Sequence, residues 1–148
     1  MEKPLTASDY ESLAELRYQI RSFLRFSEEA SHKAGLEPRQ HQLMLALKGL
    51  PPGVRPRIGE LASRLQIQHH SAVELVNRLA AGGYVRRQRA EEDQREVLLS
   101  LTSKGEKVLQ QLSLHHRTEL RTQGPALIAA LNDVIHTNNS HRKRSRKS

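Results

Sequence analysis

Two short helical patterns followed at once by an alternating ribbon, all between Ile58 and Gly105, constrain this chain more than any other feature. In Ile58-Gly59-Glu60-Leu61-Ala62-Ser63-Arg64-Leu65, the three- and four-residue spacing of Ile58, Leu61, Ala62 and Leu65 places them on one face of a short helix. That face must be buried. After Gln66-Ile67-Gln68 the helical period returns with Ala72, Val73, Val76 and Leu79. It stops at Gly82-Gly83, where glycine permits the positive φ of a helix end. Small Ala62 and Ala72 let the two helices cross closely as a helix-turn-helix, leaving the second with a free outer face. Gln66 stands where such turns commonly carry glycine. A left-handed backbone there costs roughly 1 kcal/mol, so a slightly different turn is expected.

The ribbon begins directly after the glycines, as Tyr84-Val85-Arg86-Arg87-Gln88-Arg89, and an acidic turn over Glu91-Glu92-Asp93 follows. Val97, Leu99 and Leu101 then alternate, which predicts a half-buried strand paired antiparallel to the arginine-rich one, with the turn between them as a wing. Arg86, Arg87, Arg89 and Arg95 on this ribbon offer phosphate and minor-groove contacts that no hydrophobic core requires. On the second helix Gln68, His69, His70, Ser71, Glu74 and Asn77 are free to point outward, with Arg78 towards the backbone side. Gln and Asn pair bidentately with adenine, and Glu accepts from the cytosine amino group. The plainer alternative is a solvated surface over an ordinary helical core. A pH-responsive or metal-binding role is the alternative for His69-His70, but adjacent helical residues point about 100° apart and rarely ligate one ion, so the pair reads as base or phosphate contacts.

With these residues in view, the chain resembles the MarR family of bacterial winged-helix transcription regulators. The matching residues are Glu60-Leu61-Ala62, Val76-Asn77-Arg78-Leu79, Gly83-Tyr84-Val85, and Asp93-x-Arg95 ahead of Leu101-Thr102 and Gly105. The resemblance implies that Arg95 reaches into the minor groove and that Asp93 steadies it. It also implies repression, and release by a small-molecule effector held between the dimerisation helices and the DNA-binding lobe. Gln94 replaces a second arginine common in such wings, and Glu74 brings a negative charge onto the helix expected to face DNA.

At 148 residues the chain has the size of one domain, and no apolar run approaches a membrane span. The opening Met1-Glu2-Lys3-Pro4 leads into polar sequence rather than a signal-like apolar stretch, so a cytoplasmic location is expected. There is no cysteine, which excludes disulfide or thiolate redox sensing, and aromatic residues are too few for a single-strand stacking platform. The net charge is +8, but Arg142, Lys143, Arg144, Arg146 and Lys147 supply five of those charges near the end of the chain. His141 to Ser148 holds no apolar residue and is expected to be disordered when free, serving either as a phosphate-binding arm or as a solubilising terminus.

The flanking segments read as a dimerisation apparatus. From Ser8 to about Ala34, Leu13, Leu16, Ile20, Phe23, Leu24 and Phe26 form a stripe on a helix too long for its own small core. Gly35 stops it. Pro38 opens the next helix, whose Leu43, Met44, Leu45 and Leu47 are apolar nearly all round, and Pro51-Pro52-Gly53 ends it in a loop. Beyond the wing, Thr102 or Ser103 caps a helix through Val108, Leu109, Leu112 and Leu120 that Gly124-Pro125 is expected to break. A final helix then carries Leu127, Ile128, Leu131, Val134 and Ile135.

The expected architecture is therefore mainly α with a small β-wing: one domain over 1–148, with dimerisation helices at 8–34 and 103–136, a winged-helix lobe at 38–102 and a disordered basic tail at 137–148. The resemblance implies a homodimer whose two recognition helices lie about 34 Å apart, one DNA turn, on a palindromic operator. Alternatives are a DNA-coating protein without sequence choice and a helical protein-interaction module. No phosphate loop, nucleophile elbow or HExxH helix is present, so no enzyme and no cofactor are expected. His115 and Glu119 are one helical turn apart, with His116 alongside and His41 on another helix, which leaves a metal site as an open alternative to ordinary surface residues.

Overall fold

The computed structural model describes residues 3–145, with side chains described to residue 136. The elements are α1 (Ala7–Lys33), α2 (Pro38–Lys48), α3 (Ile58–Leu65), α4 (His69–Ala81), β1 (Val85–Arg89), β2 (Val97–Leu101) and α5 (Ser103–Ser145). They form two compact units, one of Met1–Ser27 with His115–Ser148 and one of Glu28–Leu114.

The second unit holds the core. Leu43, Met44, Leu61, Val76 and Leu79 are fully buried, and Leu36, Leu75, Val85, Leu99, Leu109 and Leu112 pack with them. Each such side chain taken from water stabilises the unit by about 1.5–3 kcal/mol. Helix α2 starts where Glu37 and Gln40 form a reciprocal capping box just ahead of Pro38. Its Leu43, Met44 and Leu47 are buried as expected. Leu45, expected among them, is 44% exposed, because an 11-residue helix on one side of a small core presents its remaining face to solvent.

Gln66 does adopt the left-handed conformation, at φ 55° and ψ 44°, so the anticipated alternative turn is not formed. Two bonds that close the end of α3 offset the cost: Gln66 N–H donates to the Ser63 carbonyl (3.1 Å) and Ile67 N–H to that of Ala62 (3.0 Å). The part-buried Ile67 anchors the turn on the core. At the end of α4 only Gly83 takes a positive φ, 78°, while Gly82 remains right-handed.

In the first unit α1 begins with Thr6 and Asp9 capping each other's amides at 3.3 and 2.8 Å. Phe26 faces His115 with ring centroids 4.9 Å apart, and Phe23 and Phe26 both meet His116 edge-on. The expected break at Gly124-Pro125 does not occur; Pro125 lies inside a continuous α5. Proline removes one N–H and crowds the preceding turn. Exposed Pro125 and Arg121 leave the orphaned carbonyl open to water, while part-buried Leu127 and buried Ala130 hold the helix beyond it. Leu13, Ile20 and Leu24 on α1, and Leu120, Ile128, Leu131 and Ile135 on α5, remain well exposed. Helix α5 is described to Ser145, so over 137–145 helix stands where a disordered tail was expected; the side chains from 137 on, and residues 146–148 entirely, lie outside the described residues, and the expectation of disorder for 146–148 lies with them.

Candidate nucleic-acid interface

Helix α4 buries Ala72, Leu75, Val76 and Leu79. Val73, expected on that face, is only half-buried, and Leu75 takes its place. With successive side chains about 100° apart, the stripe opposite this buried face is His70, Glu74 and Asn77. All three are exposed. His69 lies on one flank. Half-buried Ser71 and exposed Arg78 lie on the other, where Arg78 is tied to Glu37 by an ion pair of 3.0 Å. Gln68 is the residue at the amino-terminal cap, and its side chain makes no capping bond. The outward stripe is thus narrower than the set of residues predicted, and Arg78 lies on its flank.

The two strands pair antiparallel, Val85 with Leu101, Arg87 with Leu99 and Arg89 with Val97. Because side chains alternate along a strand, Arg87 and Arg89 lie on the Val85 face and Arg86 on the opposite one. The ribbon arginines therefore do not form a single row. Arg87 donates from Nη2 to Asn77 Oδ1, linking the ribbon to the outer stripe of α4. Arg89 donates to the Gln94 carbonyl across the hairpin (2.5 Å). At the tip, the Asp93 carboxylate accepts from the Arg95 backbone N–H (3.0 Å), so it orders the backbone that carries Arg95. Arg95 itself is exposed.

The root of the wing explains the Leu101-Thr102-x-x-Gly105 spacing. Thr102 caps α5, its hydroxyl accepting from Gly105 N–H (3.1 Å) and donating to the Gly83 carbonyl (2.5 Å). Its own N–H donates to the Tyr84 carbonyl (3.0 Å), while Lys104 lies over the Tyr84 ring at 4.4 Å and donates to the Gly82 carbonyl (2.8 Å). A side chain at 105 would collide with the Tyr84 backbone.

Four residues around the wing were not among the predicted site residues. Arg55 pairs with Glu92 (3.0 Å) and Glu96 (2.9 Å), and Arg57 pairs with Glu96 (2.7 Å). The hydrogen bond from Arg55, followed by its charge, holds the Glu92 carboxyl below the usual carboxylate range. The Glu92 bond correspondingly raises Arg55. Their only trace in the sequence is opposite charge in two loops far apart along the chain.

This arrangement, a helix-turn-helix with a stapled ribbon, can be set beside known proteins. Residues 34–96 match the sequence model of the MarR family. Over this stretch, which runs from the residue after α1 to the residue before β2, the chain is similar to the MarR family. Its fold is similar to that of AbsC from Streptomyces coelicolor, a MarR family transcriptional regulator, at 19% identity and a TM-score of 0.71 over 97% of this chain and 99% of that one. It is similar also to a MarR family protein from Bacillus stearothermophilus, at 18% identity, TM-score 0.67, over 97% and 98%. A mutant of S. aureus MepR bound to an oligodeoxyribonucleotide matches at 17% identity and TM-score 0.63 over 96% and 99%. No curated protein matches the chain in sequence.

The family is one of transcription regulators and not of enzymes. In this chain the histidines raised as metal ligands are engaged otherwise: buried His41 has Nδ1 3.2 Å from Ser31 Oγ, and His116 has Nε2 2.8 Å from Ser27 Oγ. Among the described residues no group of three or more His, Cys, Asp or Glu is placed to hold a metal ion. No helix among them is long and apolar enough to cross a membrane.

Proposed function

We propose that this protein is a transcription regulator that binds duplex DNA with sequence preference as a homodimer and represses transcription until a small molecule releases it. The observation that carries the reading is the exposed stripe His70, Glu74 and Asn77, placed beside a wing whose tip presents Arg95. Asn77, Glu74 and the histidine ring can meet donors and acceptors in a major groove, and Arg95 a neighbouring minor groove. Gln68, His69, Ser71, Arg78, Arg86, Arg87 and Arg89 then serve as flanking and phosphate contacts. The DNA-bound MepR mutant, which shares the fold, supports this reading.

Exposed Leu13, Ile20 and Leu24 on α1, with Ile128, Leu131 and Ile135 on α5, support dimerisation, since so much apolar surface is costly to leave in water. A two-fold dimer favours a palindromic operator, each half-site taking one α4. For an effector, a groove of about 580 Å³ between α2 and the start of α5, lined by Leu45, Lys48, Leu109 and Gln110, offers a site of suitable volume. Selection from a random duplex library tests the reading: enrichment of a palindrome supports it, while equal binding to all duplexes means DNA coating and no binding means a protein-interaction module.

A further inference from the structure

The segment before α3 grips the wing. Pro56 lies at the centre of a tight turn in which Arg57 N–H donates to the Arg55 carbonyl (2.9 Å), while the Pro56 carbonyl accepts from Leu99 N–H on β2 (2.9 Å). The arginines on either side converge on one oxygen: Arg55 Nε is 2.9 Å and Arg57 Nε 2.7 Å from Glu96 Oε1. The Glu96 side chain is only 16% exposed, against 42% and 56% for its partners. A carboxylate mostly withdrawn from water and shared by two guanidiniums is held more firmly than an ordinary surface pair.

Glu96 grips the hairpin as well. Its carbonyl accepts from Ala90 N–H (2.9 Å) and its N–H donates to the Asp93 carbonyl (3.0 Å). One residue thus joins the turn that carries Arg95 to the segment leading into the helix-turn-helix. Considered only as a charge, a carboxylate beside the wing repels phosphate and opposes DNA binding. Considered as a clamp, it limits the directions in which its neighbour Arg95 can point, and a preorganised contact costs less entropy on binding.

We infer that Glu96 is a positioning residue for the wing, acting through Arg55 and Arg57 to set how Arg95 is presented to DNA. The inference rests on the DNA-binding reading above. The two roles of Glu96 predict opposite signs for Glu96→Gln, which keeps the shape and removes the charge. The clamp predicts weaker binding to a duplex selected from a random library by the unmodified chain, by about tenfold, within the range for losing a specific arginine contact. Binding to a scrambled duplex of the same length should hold or tighten.

Amide exchange at Ala90, Glu96 and Leu99 should accelerate in the variant with no DNA present. In an Arg55→Gln/Arg57→Gln background, Glu96→Gln should have no further effect on preference between the two duplexes, because its partners are already gone. Equal or tighter binding of Glu96→Gln to both duplexes overturns the inference, as does unchanged amide exchange. If the unmodified chain selects no duplex, the DNA-binding reading fails and the presentation of Arg95 fails with it, while the exchange arm still reports whether Glu96 clamps the wing.

Discussion

Gly105→Ala is a severe test of the wing root. A methyl group there would be driven into the Tyr84 carbonyl oxygen and lie 3.1 Å from the Tyr84 carbonyl carbon, with Leu101 Cδ2 at 3.4 Å. The first two are backbone atoms, held where β1 leaves Gly83 and where Thr102 N–H meets the same carbonyl at 3.0 Å. Neither can swing aside as a flexible side chain would. Overpacking of this kind costs about 1–3 kcal/mol. Displacing the carbonyl weakens a hydrogen bond worth about 1 kcal/mol, while alanine's helical preference returns about 1 kcal/mol. The net expectation is a loss of about 1–3 kcal/mol from a total of about 5–15 kcal/mol.

Gly59→Ala supplies the control, since Gly59 also lies in the first turn of a helix but has nothing within 4 Å of the added carbon. That change should stabilise by about 0.5–1 kcal/mol. Urea unfolding followed by circular dichroism, at one protein concentration for all variants, measures both. If Gly105→Ala were as stable as Gly59→Ala, the close approach of α5 to β1 would be wrong, and with it the physical explanation of the motif.

Arg95→Ala should weaken binding to a selected duplex by about 1–3 kcal/mol with the fold unchanged, and Asp93→Ala should cost less because it acts through the Arg95 amide; equal losses in a fluorescence titration would refute that order. Leu131→Glu places a carboxylate on the exposed stripe of α5 and should yield monomer in light scattering, whereas an intact dimer would show that this stripe packs elsewhere. Changing His70 to alanine should reduce preference for a selected over a scrambled duplex more than changing His69, which lies on the flank of α4; the reverse order would misplace the outer stripe. Since the Glu92 carboxyl is lowered on folding, its pairing with Arg55 stabilises above the ordinary carboxylate range and is lost as pH falls through the lowered value. An NMR titration should therefore place the Glu92 midpoint below that of a free glutamate, and Arg55→Gln should return it to the ordinary value.

Local spacing determined a great deal of this protein. The periods of α3 and α4, the alternation of Val97, Leu99 and Leu101, the stop at Gly83 and the cap at Thr102 all follow from contacts within a few residues, where sequence and geometry are directly linked. The outward face of α4 was legible for the same reason, since a helix face recurs every three to four residues, and the hairpin tip followed from the strands on either side of it. Only the tertiary structure decided matters that pit a local preference against distant packing. Gln66 accepts a left-handed backbone because two bonds and the seating of Ile67 outweigh its local cost, and α5 passes through Pro125 because the strain falls on a solvent-facing turn. The convergence of Arg55 and Arg57 on Glu96 was not readable at all. Such pairs obey no period, and their partners are joined only after β2 has folded beside the segment before α3.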